Sequence, residues 1–355
     1  MKRIWKLFSA VALCTALLCG CSAQQEQPAA SASPADPLTG QQLRYPGERA
    51  VAVVISNAPD TTQQWGLGSA SVVLEIQTEE DAPTDLCLVY PSLSAMPTVG
   101  PVTAGQDIFW RLLCGQEVLP VHWGSNPYAR RYLDHANLRA VDALSVGTNA
   151  FESDTSWNTL SLWRTSGSKV RSVLSSLGIS AQIKQTISSD QTAAASALPP
   201  LFPQAKDGQP EPSQPDAAAL WIDFPSASST GFAYDSALGN YKMSHADGSA
   251  QRDANTGQQV RFDNILVLYS ASSLRDDGKT LDYDLTMGGG IWLNGGQLWQ
   301  ITWTQGTDST FSFYAADGKQ LDIRPGRSYL ALLSSLTGQE LRIFDSTGQE
   351  LPNLH

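Results

Sequence analysis

The stretch His122-Trp123-Gly124-Ser125-Asn126-Pro127 sets an imidazole and a hydroxyl beside a residue pair that opens helices. Asn126 suits an N-cap and Pro127 suits a first helical position. Backbone N–H groups at a helix start, helped by the macrodipole, can hold an anion. One reading is therefore a small-ligand pocket at a strand end, and the plainer one is a satisfied histidine beside a capped helix. Ser166-Gly167-Ser168-Lys169 has the Ser-x-x-Lys spacing of penicillin-binding enzymes, where a lysine one turn away can take the serine proton. The downstream Lys-Thr-Gly element is missing, because Lys279-Thr280 runs into Leu281. The apolar spacing from Val170 to Leu177 already explains this segment as an amphipathic helix. Asp253-Ala254-Asn255-Thr256-Gly257 has the look of a calcium loop, yet its glycine comes one position early and no distal bidentate glutamate follows, so a turn is expected. Trp299, Ile301 and Trp303 share a strand face with Trp292 on the paired strand. Such a row could stack on sugars if exposed. A buried core row is the expected state, since aromatics favour strands and bury large areas. The 4 histidines are scattered, with no His-Glu-x-x-His or His-Cys cluster, so no metal and no cofactor is expected.

Cys19-Gly20-Cys21 could be a metal or redox pair, but it has no second ligand pair. What precedes it points elsewhere. Lys2, Arg3 and Lys6 make a basic start, and Leu7 to Leu18 is uncharged and mostly apolar. That run is short for a spanning helix, which needs about 20 apolar residues. A basic start, a short apolar run and small residues before a cut describe a secretory signal peptide, here residues 1–20. Leu18-Cys19-Gly20-Cys21 is similar to the lipobox of bacterial lipoproteins, with Cys21 as the lipidated residue. Cys19 fails in that role because Leu18 before it is not small. Residues 21–41 then read as lipidated cysteine plus disordered tether, too poor in spaced apolar residues to fold. The expected location is the extracytoplasmic face of the cell membrane, held there through Cys21 by a lipid with two chains.

Without the leader's three bases the chain has 23 − 3 = 20 Lys and Arg against 34 Asp and Glu, a formal charge of −14. An acidic surface with no basic stripe excludes nucleic acid as a partner. Cys87 and Cys114 both sit in apolar contexts and are expected as two buried thiols rather than a disulfide.

These residues need elements to position them. Residues 49–56, 71–77 and 85–91 are short apolar runs expected as strands. Residues 106–115 suggest a helix ended by Gly115, and 117–124 a strand that Pro120 confines to an edge or a start. A helix opens at Asn126. In 166–178, Val170, Val173, Leu174 and Leu177 mark one helical face and Gly178 is a natural cap. Beyond residue 183 the texture changes. Residues 184–216 read as a linker or crossing loop, 217–345 as a β-rich domain and 346–355 as a tail. Asp-Gly or Asn-Gly within 246–249, 293–299 and 315–323 predicts hairpins. The expected fold is α+β: an α/β layered domain over 42–183, then an antiparallel β-rich domain.

"RAVAVVISNAPDTTQQWGLGSASVVLEI", "VGPV", "VHWGSNPYA", "GGGIWLNGGQLWQITW" and "ADGKQLDIRPGRSYLALL" occur in that order. Together they resemble the YerB-like bacterial lipoproteins, a family of unknown function, over roughly Arg49 to Leu333. The resemblance implies the same two parts and a lipid anchor, and this chain would be a divergent member. It also implies a shared site, for which Asn57, Gln64, Gly66, Glu75, His122 and Ser125 match, with Asn126 following in the same motif. It implies two arginines after Gly-Pro-Val as well, where this chain has Thr103 and Gln106, and another where it has Asp85. Loss of those cations would weaken anion binding at that cleft.

The expected function is a lipid-anchored envelope protein of unknown molecular activity, acting as a non-enzymatic binding or accessory module for an envelope protein or a cell-wall component. The alternative is a hydrolase or transferase acting on an envelope polymer, with His122 and Glu75 as its acid–base pair. No catalytic residue is assigned.

Overall fold

The computed structural model describes residues 34–61, 63–154, 162–184, 198–205, 210–224, 229–307 and 310–352. The leader, Cys21 and the start of the tether lie outside them. Pro34–His355 makes one compact unit.

Among the described residues eight strands occupy the first half: β1 (Val51–Ser56), β2 (Val72–Ile76), β3 (Asp85–Tyr90), β4 (Thr98–Val102), β5 (Leu119–His122), β6 (Val141–Asp142), β7 (Glu152–Asp154) and β8 (Leu162–Ser166). Helices α1 (Asp107–Leu112), α2 (Pro127–His135), α3 (Ala143–Val146) and α4 (Gly167–Leu177) are interleaved with them. The second half continues with β9 (Ala219–Asp223), β10 (Ser229–Asp235), β11 (Asn240–Ser244), β12 (Arg261–Phe262), β13 (Asn264–Ser270), β14 (Ser272–Leu274) and β15 (Leu281–Tyr283). It ends with β16 (Met287–Asn294), β17 (Gln297–Gln305), β18 (Phe311–Ala315), β19 (Gln320–Leu321), β20 (Ser328–Ser334) and β21 (Glu340–Phe344). The large sheet runs β19-β18-β17-β16-β13-β20-β2-β3-β1-β4-β8-β7, with β5 beside β1 and β6 beside β5. A second sheet runs β12-β11-β10-β9-β21, and β14 pairs with β15.

The strand-rich α+β character agrees with the sequence. The antiparallel expectation for the second half does not hold throughout. β20 pairs in parallel with β13 on one side and with β2 on the other. Parallel pairs need crossover connections, which leave no local turn signal of the Asn-Gly kind. The β2–β20 ladder also carries one sheet across both halves of the chain.

Local rules account for the elements. In β1, Val51, Val53 and Ile55 enter one core cluster, while Ala52 and Val54 enter another. That is the period-two alternation of a strand buried on both faces. The Ser166 hydroxyl accepts from the Lys169 N–H and starts α4, and Gly178 ends it at φ 61. The Ser-x-x-Lys motif is thus a helix cap, with the Lys169 ammonium 3.3 Å from Glu152. Pairing of β5 with β6 begins only at Val121, so Pro120 precedes that ladder and is tolerated. Trp292, Trp299 and Trp303 are buried, with the first two stacked at 4.4 Å, as a core row should be. Cys87 is buried as expected. Cys114 is exposed, because it opens the short 3-10 turn Cys114–Gln116 after α1 rather than closing the helix's apolar face. The two are not joined in a disulfide.

Candidate functional site

The residues singled out in the sequence fall into two groups that share no partner. Asn57, Gln64 and Glu75 form the first. Glu75 points from the middle of the large sheet and is wholly buried. Its Oε1 accepts from Asn57 Nδ2 at 3.0 Å and the Thr84 hydroxyl at 2.8 Å. Its Oε2 accepts from the Thr230 hydroxyl at 2.9 Å and the Tyr329 hydroxyl at 2.5 Å. Asn57 Oδ1 accepts from Gln64 Nε2 at 3.1 Å, and Gln64 Oε1 accepts from Gln251 Nε2 at 2.9 Å. Burial raises the Glu75 carboxyl above its ordinary value, and the hydrogen bonds from Tyr329, Thr84, Thr230 and Asn57 offset only part of that. Thr230, Gln251 and Tyr329 come from the second half of the chain, so this network clasps the halves together. Asp253 does related work: its carboxylate accepts from the Gly66 N–H at 3.2 Å and the Gly68 N–H at 2.7 Å. The Asp-x-Asn-x-Gly stretch is accordingly a turn with its first carboxylate already occupied.

His122, Ser125 and Asn126 form the second group, at the carboxyl end of β5. Open sheets commonly bind ligands beyond the carboxyl ends of such strands. His122 is 2% exposed. Its Nδ1 donates to the Gly124 carbonyl at 2.6 Å, a carbonyl that also accepts the Gly105 N–H at 2.9 Å. With the proton on Nδ1, neutral His122 presents Nε2 as an acceptor. That atom is buried and has no partner among the described residues. Burial lowers the His122 pKa, and the Asp142 carboxylate and the Gly124 carbonyl restore only part of it, so the ring is neutral at pH 7. Gly105 is needed here, because a Cβ on it would stand 2.9 Å from the imidazole Cγ. Asp142 accepts from the Gly124 N–H at 2.7 Å, and Gly124 takes φ 61 to make the turn.

His122 and Ser125 line a cavity of about 490 Å³ with Arg130, Leu133, Asp134, Asn137, Leu138 and Arg139 among its walls. Asn126 does not open onto it as an anion site. Its Oδ1 caps α2 by accepting the Ala129 N–H at 2.7 Å, and its Nδ2 donates to Gln106 Oε1 at 2.6 Å. Gln106 in turn hydrogen-bonds Asp85. Two of the three positions where the resemblance implied arginines, Asp85 and Gln106, thus hydrogen-bond each other, and Gln106 also holds Asn126. Among the described residues no hydrogen bond or ion pair joins Glu75 and His122; each is buried among its own partners.

Asp85 carries a testable consequence. Burial pushes its carboxyl up to about 7, the Thr78 and Gln106 hydrogen bonds offset part of this, and the Glu79 charge adds to it. Its ordinary value is 3.8. Between about 4 and 7 the folded chain keeps a proton that the unfolded chain has released. Stability from this group therefore falls as pH rises through that window and is level above it. A full shift of that size corresponds to about 4 kcal/mol. Asp85 retains some solvent contact, so about 2 kcal/mol is expected. Asp85→Asn should stabilise the protein by that amount at pH 8 and leave it nearly unchanged at pH 4. Urea midpoints at the two values check it, and equal gains at both would contradict the assignment.

Sequence reasoning missed Thr84, Thr230, Gln251 and Tyr329. Their types are ordinary and their partners lie up to 254 positions away, so no local signal marked them.

A family model described as protein of unknown function (DUF3048), N-terminal domain, matches residues 38–192, and the C-terminal domain model of the same family matches 220–330. YerB of Bacillus subtilis (strain 168), named as a candidate lipoprotein, is 26% identical over 343 residues, covering 95% of this chain and 97% of that one. The crystal structure of YerB from Bacillus subtilis superposes with a TM-score of 0.71, covering 87% of this chain and 99% of that chain at 23% identity. That likeness speaks to the fold.

Proposed function

This chain belongs to the YerB-like DUF3048 family, and from that premise we propose that it is a lipid-anchored, non-enzymatic binding module of the cell envelope. The anchor is Cys21, which lies outside the described residues; the name of the Bacillus subtilis relative supports it. No helix among the described residues is long and apolar enough to cross a membrane, so attachment through the lipidated end fits the rest of the chain. The body then works on the extracytoplasmic face, on an envelope protein or a wall component.

One observation carries the binding role. His122 offers a buried acceptor, Nε2, with no donor of its own, at a cavity whose size suits a small ligand. A native fold seldom leaves such an atom unpaired. A ligand hydroxyl or amine would pair it, with Ser125 and the rim side chains fixing the remainder. Neighbouring Gln106 and Asn126 are neutral and paired with each other, so charge at the cavity comes from its rim side chains, Arg130, Asp134 and Arg139.

Soluble wall fragments provide the test. Calorimetry should detect saturable binding without turnover. His122→Phe removes the acceptor and should weaken binding about tenfold or more. Ser125→Ala, at a half-buried site, should weaken it less and serves if the histidine variant folds poorly. Turnover of the fragments would sink the non-enzymatic reading, and unaltered binding by both variants would sink the site.

A further inference from the structure

We propose that a second pocket, on the other face of α2, binds a small molecule carrying an oxyanion, either carboxylate or phosphate. Helix α2 separates the two cavities. Arg130, Leu133, Asp134 and Asn137 face the His122 cavity, whereas Tyr128, Arg131, Tyr132 and His135 line a pocket of about 410 Å³. The latter four recur at i, i+3, i+4 and i+7, the spacing of one helical stripe. Asp107 and Arg111 of α1 form a second wall, and Arg275, which follows β14, and Asp282 of β15 form a third. The volume is in the range of small-molecule sites.

The charges in this pocket are arranged rather than incidental. Arg275 donates to Asp107 Oδ2 at 2.6 Å and to Asp282 Oδ1 at 3.0 Å. Arg111 donates to the same Asp282 oxygen at 2.7 Å and to the Tyr283 carbonyl at 2.8 Å. Two carboxylates thereby hold two guanidinium groups still. Two donors are left over. Arg275 Nε is buried and has no partner among the described residues. Arg131 is exposed, makes no ion pair among the described residues, and rests with its guanidinium carbon 5.3 Å from the centre of the Tyr128 ring. Arg275 lies 4.5 Å from the centre of that same ring. Tyr128 therefore holds both guanidiniums against its ring, by attraction of cations to its π-system.

The lining itself holds three arginines against two aspartates, with the neighbouring Asp276 accepting from the Tyr128 hydroxyl, in a chain whose formal charge is −11. An ion-pair network built only for stability would have no use for Arg131 or for a buried unpaired Nε–H. An incoming oxyanion satisfies both, since guanidinium forks match carboxylate and phosphate oxygens. This site shares no residue with the His122 cavity and stands or falls without it.

Titration calorimetry on the full chain in detergent, with inorganic phosphate and with citrate as probes, tests the proposal. One saturable site is expected for at least one probe, weakening steadily as sodium chloride is added. Arg131→Gln, an exposed change that leaves the fold intact, should weaken it about tenfold. Arg275→Lys keeps the charge and removes the fork, and should weaken it similarly; should that variant fold poorly, Arg131→Gln decides alone. His122→Phe should leave phosphate and citrate binding unchanged. No binding of either probe overturns the proposal, as does binding that is equal in the unaltered protein and in Arg131→Gln.

Discussion

Glu75→Ala is expected to lower stability by about 4 kcal/mol. The substitution takes one acceptor group away from four side-chain donors: Asn57, Thr84, Thr230 and Tyr329. A buried donor left unpaired costs about 1–3 kcal/mol, and neighbours in one network do not add in full. The hydroxyls can turn to other acceptors, which keeps the loss below the simple sum. Tyr329→Phe should cost about 1–2 kcal/mol, since it removes one donor and keeps the ring packed against Phe232 and Phe262. In the double variant the second loss should shrink by at least about 0.5 kcal/mol, the signature of direct coupling. Urea denaturation measures all three. A Glu75→Ala midpoint close to that of the unaltered protein would remove the network from any account of the fold. The pH sign follows from burial. Glu75 is held above its usual carboxyl range, so the folded state takes the proton more readily and this group's contribution declines as pH rises.

The second large effect concerns the two halves. Fragments 34–184 and 198–355, made separately, are expected to stay unfolded, and made together to recover one folded complex. The reason lies in β20, which sits between β13 and β2. Removing the first half strips β20 of its β2 ladder from Val72–Ser328 to Ile76–Leu332. It also takes the Leu67 and Ala70 carbonyls from Arg327, which donates to them at 2.7 and 2.8 Å, and the Gly66 and Gly68 N–H groups from Asp253. Each fragment would be left with a long apolar strand edge and half of two shared core clusters. Circular dichroism of each fragment, alone and mixed, together with size-exclusion chromatography, gives the answer. A cooperative unfolding transition in either fragment alone would instead support the domain boundary that residues 184–216 suggest.

The leftover donors and acceptors are the residues that sequence reading could weigh but not interpret. His122 was conspicuous from its motif, yet only the structure fixes which ring nitrogen is occupied. Arg275 and Arg131 carried no motif at all. Arg275 reaches Asp107 across 168 positions, and no periodicity encodes such a meeting. Asn126 was legible as a cap, and in that role its Oδ1 takes the Ala129 N–H.

What the sequence determined by itself was local. Val170, Val173, Leu174 and Leu177 dictate the buried face of α4, Ser166 and Gly178 its ends, and Gly295-Gly296 and Asp317-Gly318 the hairpin turns. Those follow from side-chain periodicity, capping and backbone sterics, all of which act over a few residues. Only the tertiary structure decided that β2 and β20 lie side by side, that Glu75 joins the two halves of the chain, and that α2 divides one pocket from another. Such contacts are chosen by the packing of a whole sheet and its two cores. Their energies depend on which surfaces meet, and a chain read in order holds no local mark of that.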